Sequence, residues 1–264
     1  MIFHLILLTL LSYLIGNHNW ALLISKLKKQ DIRSMGSGNP GTLNMSRNFG
    51  LKIGLLTFFL DIMKGAIPTL IAFFAFKGKV FKVSGFSVSE FAIYLCGLSV
   101  VLGHIYPVVL KFKGGKGIAS TIGVFIVCSA VSGWQMTIVS IMALVAAGVF
   151  IYVTEFGAMG SFIATTPQAI ACLIRLFVLN NAIPSRQVLL IITNILILLI
   201  CFFTWFAHRK NIQRMLSGDE HPTSIKKMVV KMKAKKLSEQ NALIFEDDSE
   251  LSVKKQVEKT IYGE

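Results

Sequence analysis

The sequence LKIGLLTFFLDIMKGAIPTLIAFFAF at residues 51–76 sets the fold class of this chain. A helix needs about 20 consecutive apolar residues to cross the hydrocarbon core of a bilayer, and this stretch exceeds that length. Six more apolar segments lie before and after it, so we predict seven membrane-spanning helices. The predicted spans are 2–25, 51–76, 90–110, 118–133, 135–154, 160–179 and 188–207.

The composition agrees with an all-α polytopic membrane protein. Hydrophobic residues make up 54% of the 264 residues, and the mean hydropathy is +0.67. Soluble domains of this size rarely reach such values, because apolar surface must be hidden from water. The formal net charge is +14. Because the basic residues lie between apolar segments and in the tail, they favour membrane lipids over nucleic acid as partners.

The cysteines follow the apolar pattern as well. All of them lie inside apolar segments without the CxxC spacing of a metal or redox site, so we predict that they are small buried side chains. They are Cys96, Cys128, Cys172 and Cys201.

The charges of the connecting segments predict the orientation. Basic residues concentrate in 26–50, in 111–117 and directly after residue 207, and span counting places these segments on one face. The positive-inside rule makes that face cytoplasmic, although the three lysines of 77–89 argue against it. We therefore predict an outside N-terminus, a cytoplasmic C-terminal tail and a plasma-membrane location. The first span is too long for a cleavable signal peptide and is predicted to be retained.

The chain divides by composition into a membrane domain, 1–220, and a charged cytoplasmic tail, 221–264. The tail has a basic block with interleaved apolar residues, KKMVVKMKAKK at 226–236, and an acidic block, EDDSE at 246–250. Such a tail is typical of a solvated, partly disordered segment. The alternative is an interfacial helix on anionic lipid.

The polar stretch GSGNPGTLNMSR at 36–47 precedes the second span. Its glycines permit sharp turns and close approach to a ligand, and Asn-Pro-Gly is a turn signal. Arg47 suits bidentate phosphate binding. The alternative is an ordinary loop that caps the next helix. A water-channel motif is not predicted, because the chain has no second copy of Asn-Pro-Gly.

A second polar stretch, FKGGKG at 112–117, precedes the fourth span. Its backbone amides can face an anion at the start of that helix. The spacing differs from that of a nucleotide-binding P-loop, and Gly117 follows the lysine where a P-loop has Ser or Thr. The stretch therefore favours a small phosphate, and the alternative is a loop whose lysines only obey the positive-inside rule.

The third polar stretch, HRKNIQRMLSGDE at 208–220, follows the last span. On a helix, His208 and Asn211 share one face, and Arg209 and Arg214 extend a basic rim. Glu220 is predicted to anchor the segment through an ion pair. The alternative is a plain juxtamembrane basic helix.

The predicted spans contain several ionisable residues, among them Asp61, Lys64 and His104. Asp61 and Lys64 are costly at that depth unless they are paired, and their i,i+3 spacing permits an ion pair. We favour a structural pair over a proton relay, and we predict a structural role for His104. No group of residues has metal-ligand spacing.

These motifs together resemble the bacterial acyl-phosphate–dependent glycerol-3-phosphate acyltransferases, the seven-span PlsY-type enzymes. The resemblance covers about residues 1–220. The matching text is GSGNPGTLN..R (36–47), D..KG..P (61–68), GH..P....FKGGKG.A (103–119), a weaker G.MGS ending in Ser161, and HR.NI.R...G.E (208–220). One join departs from the family pattern, because Glu155-Phe156-Gly157-Ala158-Met159 stands where the family has Arg-Tyr-x-Ser-Leu.

The resemblance implies transfer of a fatty acyl group from acyl phosphate to the 1-hydroxyl of sn-glycerol 3-phosphate, without metal or other cofactor. The catalytic residues implied are Ser37, Arg47, Lys116, His208 and Asn211. The phosphate-binding residues implied are Gly38, Asn39, Gly41, Asn44, Gly114, Gly115, Gly117, Ser161 and Arg209. The residues expected to hold the site together are Glu220, Asp61, Lys64 and His104.

Two questions stay open at the level of sequence. The base that accepts the hydroxyl proton is either His208 or a phosphate of the substrate itself. The competing function is a transporter of phosphate or an organophosphate. A transporter predicts broken helices and a site near the midplane, whereas the glycines here lie at the ends of spans.

Overall fold

The computed structural model describes residues 1–219, 222–223, 225–230, 232–234 and 238. Up to residue 219 these residues form α-helices, short 3₁₀ turns and loops, with a single isolated bridge between Val80 and Ser87. The helices are α1 Ile2–Asn17, α2 Trp20–Leu27, α3 Thr42–Phe49, α4 Leu51–Phe76, α5 Val88–Ile105, α6 Ile118–Ser132, α7 Trp134–Thr154, α8 Gly157–Asn180, α9 Gln187–Ala207 and α10 Arg209–Leu216. Met1–Thr223 forms one compact unit, to which all that follows refers.

Six helical stretches of the described chain are long and apolar enough to cross a membrane. They are Ile2–Leu27, Leu51–Phe76, Val88–Leu110, Trp134–Thr154, Gly157–Asn180 and Pro184–Ala207. The remaining predicted span, α6, has 15 residues. At 1.5 Å per residue it reaches about 22 Å, less than the roughly 30 Å of a hydrocarbon core. The all-helical membrane architecture is confirmed, and the count of seven spans stays a prediction.

The first predicted span, 2–25, corresponds to the candidate span Ile2–Leu27, but its helix is not continuous. The structure breaks it at His18 and Asn19, between α1 and α2. The Asn19 side chain accepts a hydrogen bond from Leu22 N at 3.0 Å, which starts α2, and it donates to Pro40 O at 3.3 Å. The break is therefore stabilised by a distant loop.

The polar stretch 36–47 is also more helical than expected. It turns at Gly36 and Gly38, which have positive φ, and then Thr42–Phe49 forms α3. Met45 of α3 is fully buried in a cluster with Ala21 and Ile32. This apolar contact anchors a helix that the Asn-Pro-Gly turn signal alone does not predict.

Helix α5 lies at the centre of the bundle and packs against α1, α4, α6 and α9. The crossing of α4 and α6 is unusually close, because a Cβ atom on Gly65 would collide with Ser120 O and one on Gly123 with Ile62 O. Small residues permit such contact in lipid, where helices gain little from hiding apolar surface. The predicted burial of the cysteines is confirmed for Cys96, Cys128 and Cys172, and Cys201 is partly buried.

Candidate active site

The three polar stretches lie at one end of the helix bundle, which we call the loop end. There α4, α6 and α8 begin, and α5 and α9 finish. Lys116 Nζ donates a short hydrogen bond to Asn211 Oδ1. This contact joins the second stretch to the third, as the sequence predicted.

The 112–117 stretch is shaped by close contact with His104. A Cβ atom on Gly115 would collide with His104 Nε2, and one on Gly114 would collide with His104 O. Only glycine fits at these two positions. The turn therefore lies directly on the end of α5 and presents Lys116 towards α10.

Two glycine amides of this stretch donate hydrogen bonds to backbone carbonyls at the end of α5. Gly114 N donates to Ile105 O at 3.2 Å, and Gly115 N donates to His104 O at 3.1 Å. These amides thus have backbone partners in this structure, and their phosphate contact stays a prediction. Gly117, with φ of 83°, starts α6. The first amides of α6 have no carbonyl partner within their own helix, so that helix start can accept an anion, as predicted from the sequence.

Arg47 connects the first stretch to the chain that follows α10. It lies exposed in the last turn of α3. Its Nη2 donates to Pro222 O at 2.8 Å and its Nε to Thr223 O at 3.4 Å. Thr223 N in turn donates to Glu155 O at 2.9 Å. The guanidinium thus lies where the first stretch, the 155–161 join and the segment after α10 meet.

The Asn44 side chain stabilises the turn of the first stretch through its hydrogen bonds. Its Nδ2 donates to Ile32 O at 3.2 Å and to Met35 O at 3.0 Å. Its Oδ1 accepts from Ser37 N and from Asn48 Nδ2, both at 3.1 Å. The amide nitrogen and the carbonyl oxygen are both used inside the turn, and the phosphate contact of Asn44 stays a prediction.

Other residues of the first stretch form the turn that Asn44 holds. Gly41 N donates to Asn39 O at 3.0 Å, and Gly41 is the residue that precedes α3. Ser37 is exposed beside the turn. Gly38 has a φ of 67°, a conformation that glycine adopts without strain. The exposed Ser37 hydroxyl is therefore the group of this turn that stays available as a predicted catalytic group.

His208 lies at the junction of α9 and α10 and is buried, with 4% exposure. Its Nδ1 lies 2.8 Å from Thr204 O. A carbonyl only accepts hydrogen bonds, so Nδ1 carries the proton and Nε2 keeps a lone pair. Burial, together with the charge of Lys116, lowers the pKa of His208 from 6.5 to about 4, against a smaller raising effect of the Thr204 carbonyl. At neutral pH the ring is uncharged.

Sequence reasoning missed two residues that orient His208. The backbone carbonyl of Thr204, one helical turn before His208, fixes the tautomer. The Phe162 ring meets the imidazole edge to face, with centroids 5.6 Å apart. No local pattern reveals this contact, because Phe162 lies on α8.

Arg209, Ser161 and Glu220 are also predicted site residues. Arg209 Nη1 donates to Phe206 O at 3.1 Å, and its guanidinium lies 4.5 Å from the centre of the Phe206 ring. Ser161 Oγ donates to Gly157 O at 2.8 Å, within its own helix. The structure thus brings neither into direct contact with Lys116 or Asn211 among the described contacts. Glu220 lies outside the described residues.

The predicted ion pair of α4 forms below the loop end. Lys64 Nζ lies 2.9 Å from Asp61 Oδ1, and both side chains are almost fully buried. Lys64 Nζ also contacts His104 Nδ1 at 2.7 Å and His18 O at 2.8 Å. Asp61, Lys64 and His104 therefore form one cluster directly under the 112–117 turn.

Comparison with known proteins gives one consistent result. The sequence model of a family described as glycerol-3-phosphate acyltransferase matches residues 6–218. The glycerol-3-phosphate acyltransferase of Aquifex aeolicus is 36% identical over 215 residues, which cover 81% of this chain and 96% of the relative. That of Mycoplasmopsis pulmonis is 34% identical over 211 residues, which cover 79% and 88%.

Two solved structures show the same architecture. Both are crystal structures of PlsY (YgiH), an integral membrane glycerol 3-phosphate acyltransferase. The glycerol 3-phosphate form superposes with a TM-score of 0.63 at 33% identity, covering 83% of this chain and 95% of that one. The lysophosphatidic acid form gives 0.61 at 32% identity, with the same coverage. With a family match over most of its length and a shared fold, this chain belongs to the glycerol-3-phosphate acyltransferase family of integral membrane enzymes.

Proposed function

We propose that the protein transfers a fatty acyl group from acyl phosphate to the 1-hydroxyl of sn-glycerol 3-phosphate. The hydroxyl oxygen attacks the acyl carbon, the bond from that carbon to the phosphate oxygen breaks, and lysophosphatidic acid and inorganic phosphate leave. The observation that carries the proposal is the Lys116–Asn211 contact beside the uncharged His208. It gathers a cation, an amide and an imidazole at the end of a lipid-facing bundle.

Electrostatics supports two phosphate groups in this site. Two phosphates repel each other, so a site that brings them together needs preorganised positive charge. Lys116 and Arg47 supply full charges at the loop end, and the start of α6 supplies partial ones. Acyl phosphate is already activated by a good leaving group, so positioning is the main task. Holding two reactants in line is worth roughly 7–11 kcal/mol of a barrier.

The proton of the attacking hydroxyl has two candidate acceptors. His208 Nε2 has the free lone pair for this role, because Thr204 occupies Nδ1. A pKa of about 4 makes His208 a weak base in the empty site. A bound phosphate dianion near the ring raises that pKa, because an opposite charge favours the protonated form. A phosphate of the substrate itself is the other acceptor.

Membrane orientation and location belong to the same proposal. We place the loop end in the cytoplasm of a plasma-membrane protein with seven spans, α6 included, and with residues 221–264 as a cytoplasmic tail. The basic residues around the loop end support this orientation. They are Lys26, Lys28, Lys29, Lys111, Lys113, Arg209 and Lys210. An acyl chain then stays in the bilayer while both phosphates react in water-accessible space.

A donor test decides the proposal. The purified full-length protein in detergent is given sn-glycerol 3-phosphate with palmitoyl phosphate, palmitoyl-CoA or palmitoyl carrier protein, each with and without EDTA. We expect lysophosphatidic acid, measured by mass spectrometry, from palmitoyl phosphate alone and unchanged by EDTA. Product from palmitoyl-CoA but not from palmitoyl phosphate would refute the proposed donor.

A further inference from the structure

The Lys64 ammonium is the centre of a buried polar cluster that connects three segments of the chain: α4, the break between α1 and α2, and α5. It contacts Asp61 Oδ1 at 2.9 Å, His18 O at 2.8 Å and His104 Nδ1 at 2.7 Å. Its side chain is 2% exposed. A buried charge of this kind is costly and persists only with such partners. We call Asp61, Lys64 and His104 the buried triad.

His104 connects the buried triad to the 112–117 turn. A lysine ammonium has donors only, so His104 Nδ1 accepts from it and the ring proton lies on Nε2. Lys64 therefore fixes both the tautomer and the orientation of the ring. The Nε2 edge lies against Gly115, where no side chain fits, and the His104 carbonyl accepts from Gly115 N at 3.1 Å. The ring and backbone of His104 support the turn that carries Lys116.

Lys64 is also connected to the turn of the first polar stretch, through the backbone of His18 and the side chain of Asn19. Lys64 holds the carbonyl of His18 at the break between α1 and α2. The next residue, Asn19, donates to Pro40 O at 3.3 Å. Pro40 is buried between Asn39 and Gly41, directly before α3, whose last turn carries Arg47. One lysine thus reaches the supports of both turns.

We infer that Lys64 is a positioning residue that sets the separation of the Lys116 turn and the Arg47-bearing segment. Its ammonium holds His104 on one side and His18 on the other, so the two halves of the phosphate site share one rigid support. The inference rests on the proposed function, because it assigns both turns to phosphate binding. The buried charge of Lys64 then positions the site, in addition to stabilising the fold through its ion pair with Asp61.

A double variant that removes the charges of both Asp61 and Lys64 separates an effect on positioning from an effect on stability. Replacing Lys64 alone leaves the Asp61 carboxylate buried without its counter-ion and destabilises the fold, whereas replacing a whole buried pair by apolar residues is often neutral. Asp61→Leu/Lys64→Met therefore keeps the bundle intact while it frees His104 and His18. The matched control is Glu90→Leu/Arg175→Met. It removes another ion pair, with an N–O distance of 2.8 Å, at the opposite end of the bundle.

The test compares these two double variants with the wild type in detergent. We measure thermal midpoints, the Kd of glycerol 3-phosphate without any acyl donor, and kcat and KM with palmitoyl phosphate. For the triad variant we expect a wild-type-like midpoint, a loss of about 10²-fold in kcat/KM and a weaker Kd, because small displacements of reacting groups have costs of this size. The control variant should keep both constants within about threefold.

Two outcomes would overturn the inference. One is a triad variant whose Kd and kcat/KM match those of the control. The other is His104→Gln with unchanged Kd, because a glutamine cannot reproduce the ring edge under Gly115; this single variant serves if the double variant does not fold. If the wild type binds glycerol 3-phosphate but makes no product from palmitoyl phosphate, only the proposed donor is refuted. The Kd comparison stands in that case, since it involves no donor.

Discussion

Replacing Lys116 by methionine tests the phosphate site most directly. Methionine keeps the length of the side chain and removes its charge. The lysine donates to Asn211 Oδ1 and its charge also lowers the pKa of His208. Removal of one preorganised electrostatic group from an active site costs about 2.7–4 kcal/mol, or roughly 10²–10³-fold in rate. We expect Lys116→Met to lose that much kcat/KM.

The assay for Lys116→Met is lysophosphatidic acid formation from palmitoyl phosphate and glycerol 3-phosphate, followed by mass spectrometry. Lys113→Met is the matched control, because it removes the same charge from an exposed position of the same turn. The control should stay within about threefold of the wild type, since screened surface charges contribute little. If the two variants lose the same activity, a general attraction of anions explains the effect and the phosphate contact of Lys116 is refuted.

Three further predictions concern neighbouring groups. Arg47→Ala should reduce kcat/KM about 10²-fold, whereas Arg33→Ala, which removes an exposed arginine paired with Asp31, should not; equal turnover in the two variants would contradict the phosphate role of Arg47. Gly115→Ala should abolish activity through the collision with His104, measured as turnover in protein that still elutes as a monodisperse peak. His208 has a pKa lowered from 6.5 to about 4, so its stabilising contribution is complete above pH 6.5 and fades as pH falls towards 4. This contribution is about 3 kcal/mol, and thermal midpoints of His208→Gln between these pH values should fall less than those of the wild type.

The pH dependence of turnover also separates the two proton acceptors. If His208 is the base, the activity of the wild type rises with the deprotonation of the ring, and His208→Gln loses that limb of the profile. If phosphate accepts the proton, His208→Gln keeps the shape of the profile at a lower rate. The measurement is kcat against pH at saturating substrate.

Hydropathy was sufficient to predict six helical stretches long and apolar enough to cross a membrane, because length and apolar character are properties of a segment by itself. It was insufficient at two places. The break at Asn19 depends on the carbonyl of Pro40, and α3 depends on the burial of Met45. Both are contacts between segments distant in sequence, which no local pattern contains.

In the candidate site, too, some features could be predicted from the sequence and others depend on contacts between distant segments. Residue types and spacing predicted the ion pair of Asp61 and Lys64 and the meeting of the second and third polar stretches, which the Lys116–Asn211 contact confirms. The motifs also predicted the acyltransferase family, which the comparisons show, and the relatives and neighbours give no support to a transporter. The hydrogen bonds by which the Asn44 side chain holds the turn around it did not follow from the spacing, and its phosphate contact stays a prediction.

The sequence by itself determined that this chain is a bundle of apolar helices with three phosphate-compatible polar stretches at their ends. Those properties follow from composition, spacing and the cost of polar groups in lipid. Only the tertiary structure decided which amides remain for a ligand, which nitrogen of His208 keeps its lone pair, and that Lys64 supports two turns at once. These features depend on hydrogen bonds between separate segments, and a hydrogen-bond partner is fixed only when the segments are packed together.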